Sequence, residues 1–147
     1  MEFNVQVRNS LIERSLLNKV ARVANSLERE VENELKVSLK LTFSQLRVLN
    51  GLMILGETSQ AKLAEALEVT PAVITRQADV LRRQGLVELH SQSKRENRLA
   101  VTPKGEGAVK DGLELVEECR VKVLAGLSRR DEIAFESAVD TLEKSLG

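Results

Sequence analysis

Between Thr70 and Gly105 the apolar pattern changes period from 3.6 to 2 and back again. Thr70-Pro71 is a helix cap followed by proline at the first helical position. Ile74, Ala78 and Leu81 then recur at helical spacing up to Gly85, a residue suited to the left-handed turn after a helix. Beyond it Val87 and Leu89 alternate with Glu88 and His90, and Leu99 and Val101 alternate with Arg98, Ala100 and Thr102. The spacing predicts two short strands joined by Ser91–Asn97, a β-hairpin with a polar tip. Thr102-Pro103-Lys104-Gly105 returns the chain to a helix.

Helices flank this segment on both sides. Upstream, Ile12, Leu16, Val20, Ala24, Leu27, Val31 and Leu35 step by three or four, which predicts one long amphipathic helix. Thr42-x-x-Gln45 reads as a capping box opening a second helix through Leu46, Leu49 and Met53, ended by Gly56. Thr58 or Ser59 caps a third, short helix through Leu63, Ala64 and Leu67. Downstream, Val109, Leu113, Val116, Val123 and Leu127 form the stripe of a long helix, and Ser128 caps a last one carrying Ile133, Phe135, Ala138, Leu142 and Leu146. The fold class is mainly α with a small β-hairpin wing (α+β). Gly105-x-Gly107 lacks the third glycine and the βαβ unit of a dinucleotide-binding loop, and reads as a turn.

A short helix, a tight turn, a capped second helix and then a hairpin is the order of a winged helix–turn–helix. The second helix of such a unit enters the major groove with its N-terminal residues nearest the bases. With Ile74 at the centre of the buried face, steps of about 100° place Ala72, Arg76, Asp79 and Arg83 opposite, flanked by Val73, Thr75 and Val80. Ala72, Val73, Thr75 and Arg76 are therefore the candidates for base edges, Arg76 by a bidentate contact to guanine. Arg82 and Arg83 suit phosphate, or the dipole at the helix C-terminus. The hairpin tip brings Lys94, Arg95 and Arg98 within six residues, suited to the minor groove or the adjacent backbone.

Charge supports this reading only when it is placed along the chain. The 22 basic and 22 acidic side chains cancel, which taken alone argues against a nucleic-acid partner. Residues 70–105, however, carry seven basic and three acidic side chains, and residues 106–147 carry six and ten. A +4 segment framed by a −4 one is the asymmetry expected of a nucleic-acid reader whose nonspecific attraction is moderate and easily screened.

Other function classes find little support. The longest uncharged run is the nine residues Val48–Gly56, against about 20 needed for a membrane span. No basic segment followed by an apolar core opens the chain, so a cytoplasmic protein without membrane contact is expected. His90 and Cys119 are the sole residues of their types, giving no catalytic arrangement, metal site or cofactor, and no enzyme is expected. His90 reads as a surface or phosphate-facing side chain. Cys119 lies on an apolar stripe and reads as a buried, inert thiol; the alternative is a redox switch. Three Phe with no Tyr or Trp leave little for an aromatic effector to stack on.

The chain resembles the MarR family of transcriptional regulators over nearly its whole length. The resemblance rests on Leu41-Thr42-Phe43-Ser44-Gln45-Leu46-Arg47-Val48-Leu49, on Gln60-Ala61-Lys62-Leu63-Ala64-Glu65-Ala66-Leu67, and on Leu81-Arg82-Arg83-Gln84-Gly85-Leu86-Val87. Val101-Thr102-Pro103-Lys104-Gly105 then resembles the family's Leu-Thr-x-x-Gly after the wing. The wing departs from the pattern: where the family carries Asp-x-Arg, this chain reads Ser93-Lys94-Arg95, and the wing is one or two residues shorter. The resemblance implies one domain, 1–147, with its DNA-binding unit in 42–105 and homodimerising helices in 1–41 and 106–147. It further implies a repressor that binds a pseudo-palindromic double-stranded operator and responds to a small-molecule effector. The competing reading is a winged-helix module that binds a protein and has lost DNA recognition.

Overall fold

Local capping chemistry fixes most of the helix boundaries. The computed structural model describes residues 14–93 and 96–147, and of residues 92, 93 and 96 the backbone alone. Ile12, Lys94 and Arg95 lie outside the described residues. Helix α1 spans Leu16–Leu39, with Ser15 as N-cap accepting from the Asn18 amide at 3.3 Å. The apolar stripe from Ile12 therefore does not run through one uninterrupted helix, because a helix N-cap stands at Ser15. Helix α2, Phe43–Leu55, has the full capping box: Thr42 accepts from the Gln45 amide, and Gln45 accepts from the Thr42 amide. Gly56 ends it at φ 70.

Strand β1 (Thr58–Ser59) precedes helix α3 (Gln60–Ala66), whose N-cap is Ser59. A short turn leads to α4, Pro71–Arg83. Thr70 is its N-cap without a side-chain capping bond; its backbone carbonyl accepts from Val73 instead. Gly85 adopts φ 73, as the turn after α4 requires. Strands β2 (Val87–Ser93) and β3 (Glu96–Val101) pair antiparallel with Leu89 opposite Leu99, and β1 adds to the other edge of β3. The hairpin is thus longer than the expected Ser91–Asn97 connection, since Ser91 pairs with Asn97 and Ser93 with Glu96 across a bulge. Helices α5 (Pro103–Leu124) and α6 (Arg129–Leu146) complete the chain, capped by Thr102 and Ser128. Gly105 and Gly107 lie in the first turns of α5, correcting their reading as a turn.

The core gathers around α2, α3, α4 and the inward face of the sheet. Leu49, Leu63, Ile74, Leu81 and Leu99 are completely or almost completely buried there. Each such side chain contributes roughly 1.5–3 kcal/mol of burial. Helix α1 packs on α5, and α2 sits between that pair and the sheet unit. Helix α6 buries no side chain at all; Arg120 on α5 holds it through Glu132 and Glu136. Among the described residues no helix is long and apolar enough to cross a membrane.

Candidate nucleic-acid interface

The face of α4 that looks away from the core is polar because burial uses only Ile74, Ala78 and Leu81. Ala72, Thr75, Arg76, Arg82 and Arg83 are exposed and Val73 is half-buried, the arrangement that helical stepping predicts. The Thr75 hydroxyl lies 2.8 Å from the side-chain oxygen of Gln60 and 3.0 Å from the Pro71 carbonyl. One hydroxyl proton serves one of these acceptors at a time; when it is donated to Gln60, Thr75 ties α4 to the start of α3. That tether between the two helices of the unit is a contact the sequence did not reveal.

The basic side chains of this segment divide by what they hold. Arg76 and Arg83 have no hydrogen-bond or ion-pair partner among the described residues. Arg82 is loosely paired with Asp79 at 3.8 Å, both about half exposed, an interaction of little strength in water. Lys104 donates to the Gln84 carbonyl at 2.7 Å. Arg98 donates to the Glu57 carbonyl at 2.8 Å and pairs with its carboxylate at 3.4 Å. The +4 segment therefore offers less unengaged charge than its sequence suggests. Of the wing-tip pair, Lys94 and Arg95, both lie outside the described residues.

His90 does not stand alone at the wing base. Its Nδ1 lies 3.2 Å from Glu57 and its Nε2 3.1 Å from Glu88. Hydrogen bonds to Glu57 and then to Glu88 hold its pKa above the ordinary histidine value. Glu57 is 41 residues from Arg98 and 33 from His90 in sequence, which is why no local pattern discloses the cluster.

Cys119 is buried at 4% exposure between α1, α5 and α6. Burial, and then Glu34 and Glu30, push its thiol above the ordinary value, opposite to the shift that makes a reactive thiolate. The expected result is slow alkylation of the folded protein by iodoacetamide at neutral pH and fast alkylation in denaturant. Equal rates in the two states would revive the redox reading. Among the described residues no group of three or more His, Cys, Asp or Glu side chains is placed to hold a metal.

Residues 39–96 match the model of the MarR family. The fold of the ligand-free organohalide-sensing transcriptional regulator RdhR superposes with a TM-score of 0.79 at 22% identity, covering 95% of this chain and 83% of that one. MepR, a transcription regulator of a Staphylococcus aureus multidrug efflux pump, gives 0.74 at 16% identity, covering 90% and 99%. A MarR-family protein of Mycobacterium tuberculosis, solved in complex with salicylic acid, gives 0.69 at 26% identity over 87% and 96%. Residues 39–96 are thus similar to the MarR family, and the chain as a whole has the fold seen in MarR-family transcriptional regulators.

Proposed function

We propose that the chain is a cytoplasmic, homodimeric repressor that reads a pseudo-palindromic duplex with α4 and its wing and is released by a small ligand. The observation that carries the DNA reading is the unengaged, outward Arg76 beside exposed Ala72 and Thr75 on the second helix of the unit. Ala72, Val73, Thr75 and Arg76 face base edges, and Arg82 and Arg83 face phosphate. Lys94 and Arg95, which lie between the two strands in sequence, contact the minor groove or the adjacent backbone, and Arg98 anchors the base of the wing. The region 42–105 is the reader, and 1–41 with 106–147 forms the dimer.

The dimer is supported by apolar surface that one chain leaves in water. Leu16, Val20 and Val23 on α1 and Ile133, Leu142 and Leu146 on α6 are exposed, Leu146 at 86%. Large apolar side chains left exposed on two helices in this number mark an association face. Twofold pairing of two readers suits half-sites one turn apart, roughly 34 Å.

The effector reading rests on a cavity of about 290 Å³ between α1, α5 and α6, lined by Leu27, Val31, Val116, Cys119 and Phe135. That is near the lower size bound of small-ligand pockets, about 300 Å³. The relatives' ligands named by their structures, salicylic acid and 2,4-dichlorophenol, are compact aromatic molecules of that scale.

The test is selection of bound fragments from a random duplex library, followed by titration across salt. Binding of a twofold-symmetric sequence with affinity falling steeply as salt rises supports the proposal. Failure to bind any duplex at low salt, with capture of a protein partner through residues 70–98, would establish the protein-binding alternative.

A further inference from the structure

We infer that Glu57 is the positioning residue of the wing, gripping β3 through Arg98 and β2 through His90 so that wing order follows the protonation of His90. The inference rests on the DNA reading only for its consequence, not for its geometry.

Glu57 sits in the connection between α2 and β1, on the body of the reader unit. Its carboxylate oxygens divide the work: Oε1 lies 3.4 Å from Arg98 Nε and Oε2 lies 3.2 Å from His90 Nδ1. Its backbone carbonyl accepts a second bond from Arg98. His90 and Arg98 face each other in the β2–β3 register, on the side of the sheet away from the core. One carboxylate thus joins both strands of the hairpin to the loop that precedes the helix–turn–helix.

The charged groups around His90 belong to four elements. Glu88 lies on its own strand and Arg98 on β3, and Glu57 comes from the loop. Lys62 and Glu65 of α3 line the same shallow groove as Glu57 and Arg98. A carboxylate can only accept, so both ring nitrogens must carry hydrogen for His90 to bond Glu57 and Glu88 together. The neutral ring has one N–H and keeps one of the two bonds. Since the pKa of His90 is raised, the two-sided grip is complete below the ordinary value of 6.5 and is lost as pH rises through the raised value. When the one remaining N–H turns to Glu88, which lies on the same strand, β2 loses its side-chain tie to Glu57 while β3 keeps its own through Arg98.

Hydrogen exchange and proton NMR on the free protein test this without DNA. The His90 ring is expected to titrate above 6.5 in the wild type and to move toward it in Glu57→Gln. That variant keeps the Arg98 bond to the Glu57 carbonyl and with it the fold. Amides of β2, corrected for intrinsic rate, are expected to exchange about threefold faster once His90 is neutral, the scale of one exposed ion pair. In His90→Asn the same amides should show no such step. A His90 titration unmoved by Glu57→Gln, or a wild-type wing indifferent to pH, overturns the inference. Duplex affinity should fall over the same pH interval in wild type alone. Absence of duplex binding at every pH, with the exchange step present, supports the grip and overturns the proposed function.

Discussion

Gly105→Ala is expected to destabilise the protein by about 3 kcal/mol, measured by urea unfolding, the upper range for inserting one carbon into packed structure. A Cβ at this position would stand 2.1 Å from the Leu86 carbonyl oxygen and 2.8 Å from a methyl of Val101. The nearest obstacle is backbone and already engaged, since that carbonyl accepts from the Thr102 amide at 3.1 Å. Thr102 in turn donates its hydroxyl to the Gly85 carbonyl at 2.7 Å and caps α5 by accepting from the Gly105 amide at 3.0 Å. Nothing in this junction is a flexible side-chain tip that could yield. Alanine also improves helix propensity, by up to about 1 kcal/mol, which is too little to offset the clash. Gly107→Ala separates the two effects, because a Cβ there meets nothing within 4 Å. It should stabilise the same helix slightly. A Gly105→Ala protein as stable as Gly107→Ala would refute the close approach.

Arg76→Ala is expected to cost about 1–3 kcal/mol of duplex affinity, roughly five- to 150-fold, and to relax preference at one base pair of each half-site. The guanidinium is unengaged among the described residues, so removing it breaks no contact that holds the fold. Its partner position on guanine needs two parallel N–H donors, which lysine does not present, so Arg76→Lys should restore little. Arg83→Ala is the companion measurement: at the far end of α4 it should weaken all duplexes alike. Fluorescence anisotropy on the selected operator and its single-base variants distinguishes them. Equal loss on every duplex for Arg76→Ala would make it a phosphate contact.

The parts of the fold that were legible in the sequence are those set by chemistry within a few residues. Thr42 and Gln45, or Ser128 and Asp131, satisfy each other across one turn, and their residue types announce it. The outward face of α4 was equally legible, because three buried residues fix the rotation of a helix. Strand β1 was not legible: Thr58 and Ser59 are too few to show a period, and only pairing with Leu99 and Arg98 makes them a strand. The outer hairpin was missed for another reason. Ser91, Gln92, Ser93, Glu96 and Asn97 are all polar, so alternation had no apolar partner to reveal it. The break at Ser15 carried a signal in its Ser-x-x-Asn cap, which the continuing apolar stripe concealed. Arg98 was read as a DNA contact because it is basic and near the tip. Its bond to Glu57 depends on a separation of 41 residues that only the fold closes.

Helix α6 leaves every side chain at least partly in water within its own chain. For a twofold dimer built on that face, stability is a property of the solution as well as of the molecule. Each tenfold dilution removes about 1.4 kcal/mol of association free energy. The melting temperature of the isolated protein should therefore climb with its concentration, whereas a self-sufficient monomer would melt at one temperature throughout. If the proposed dimer forms, mass action supplies a control that needs no effector: the number of copies present would set how much of the reader exists in a form able to span two half-sites.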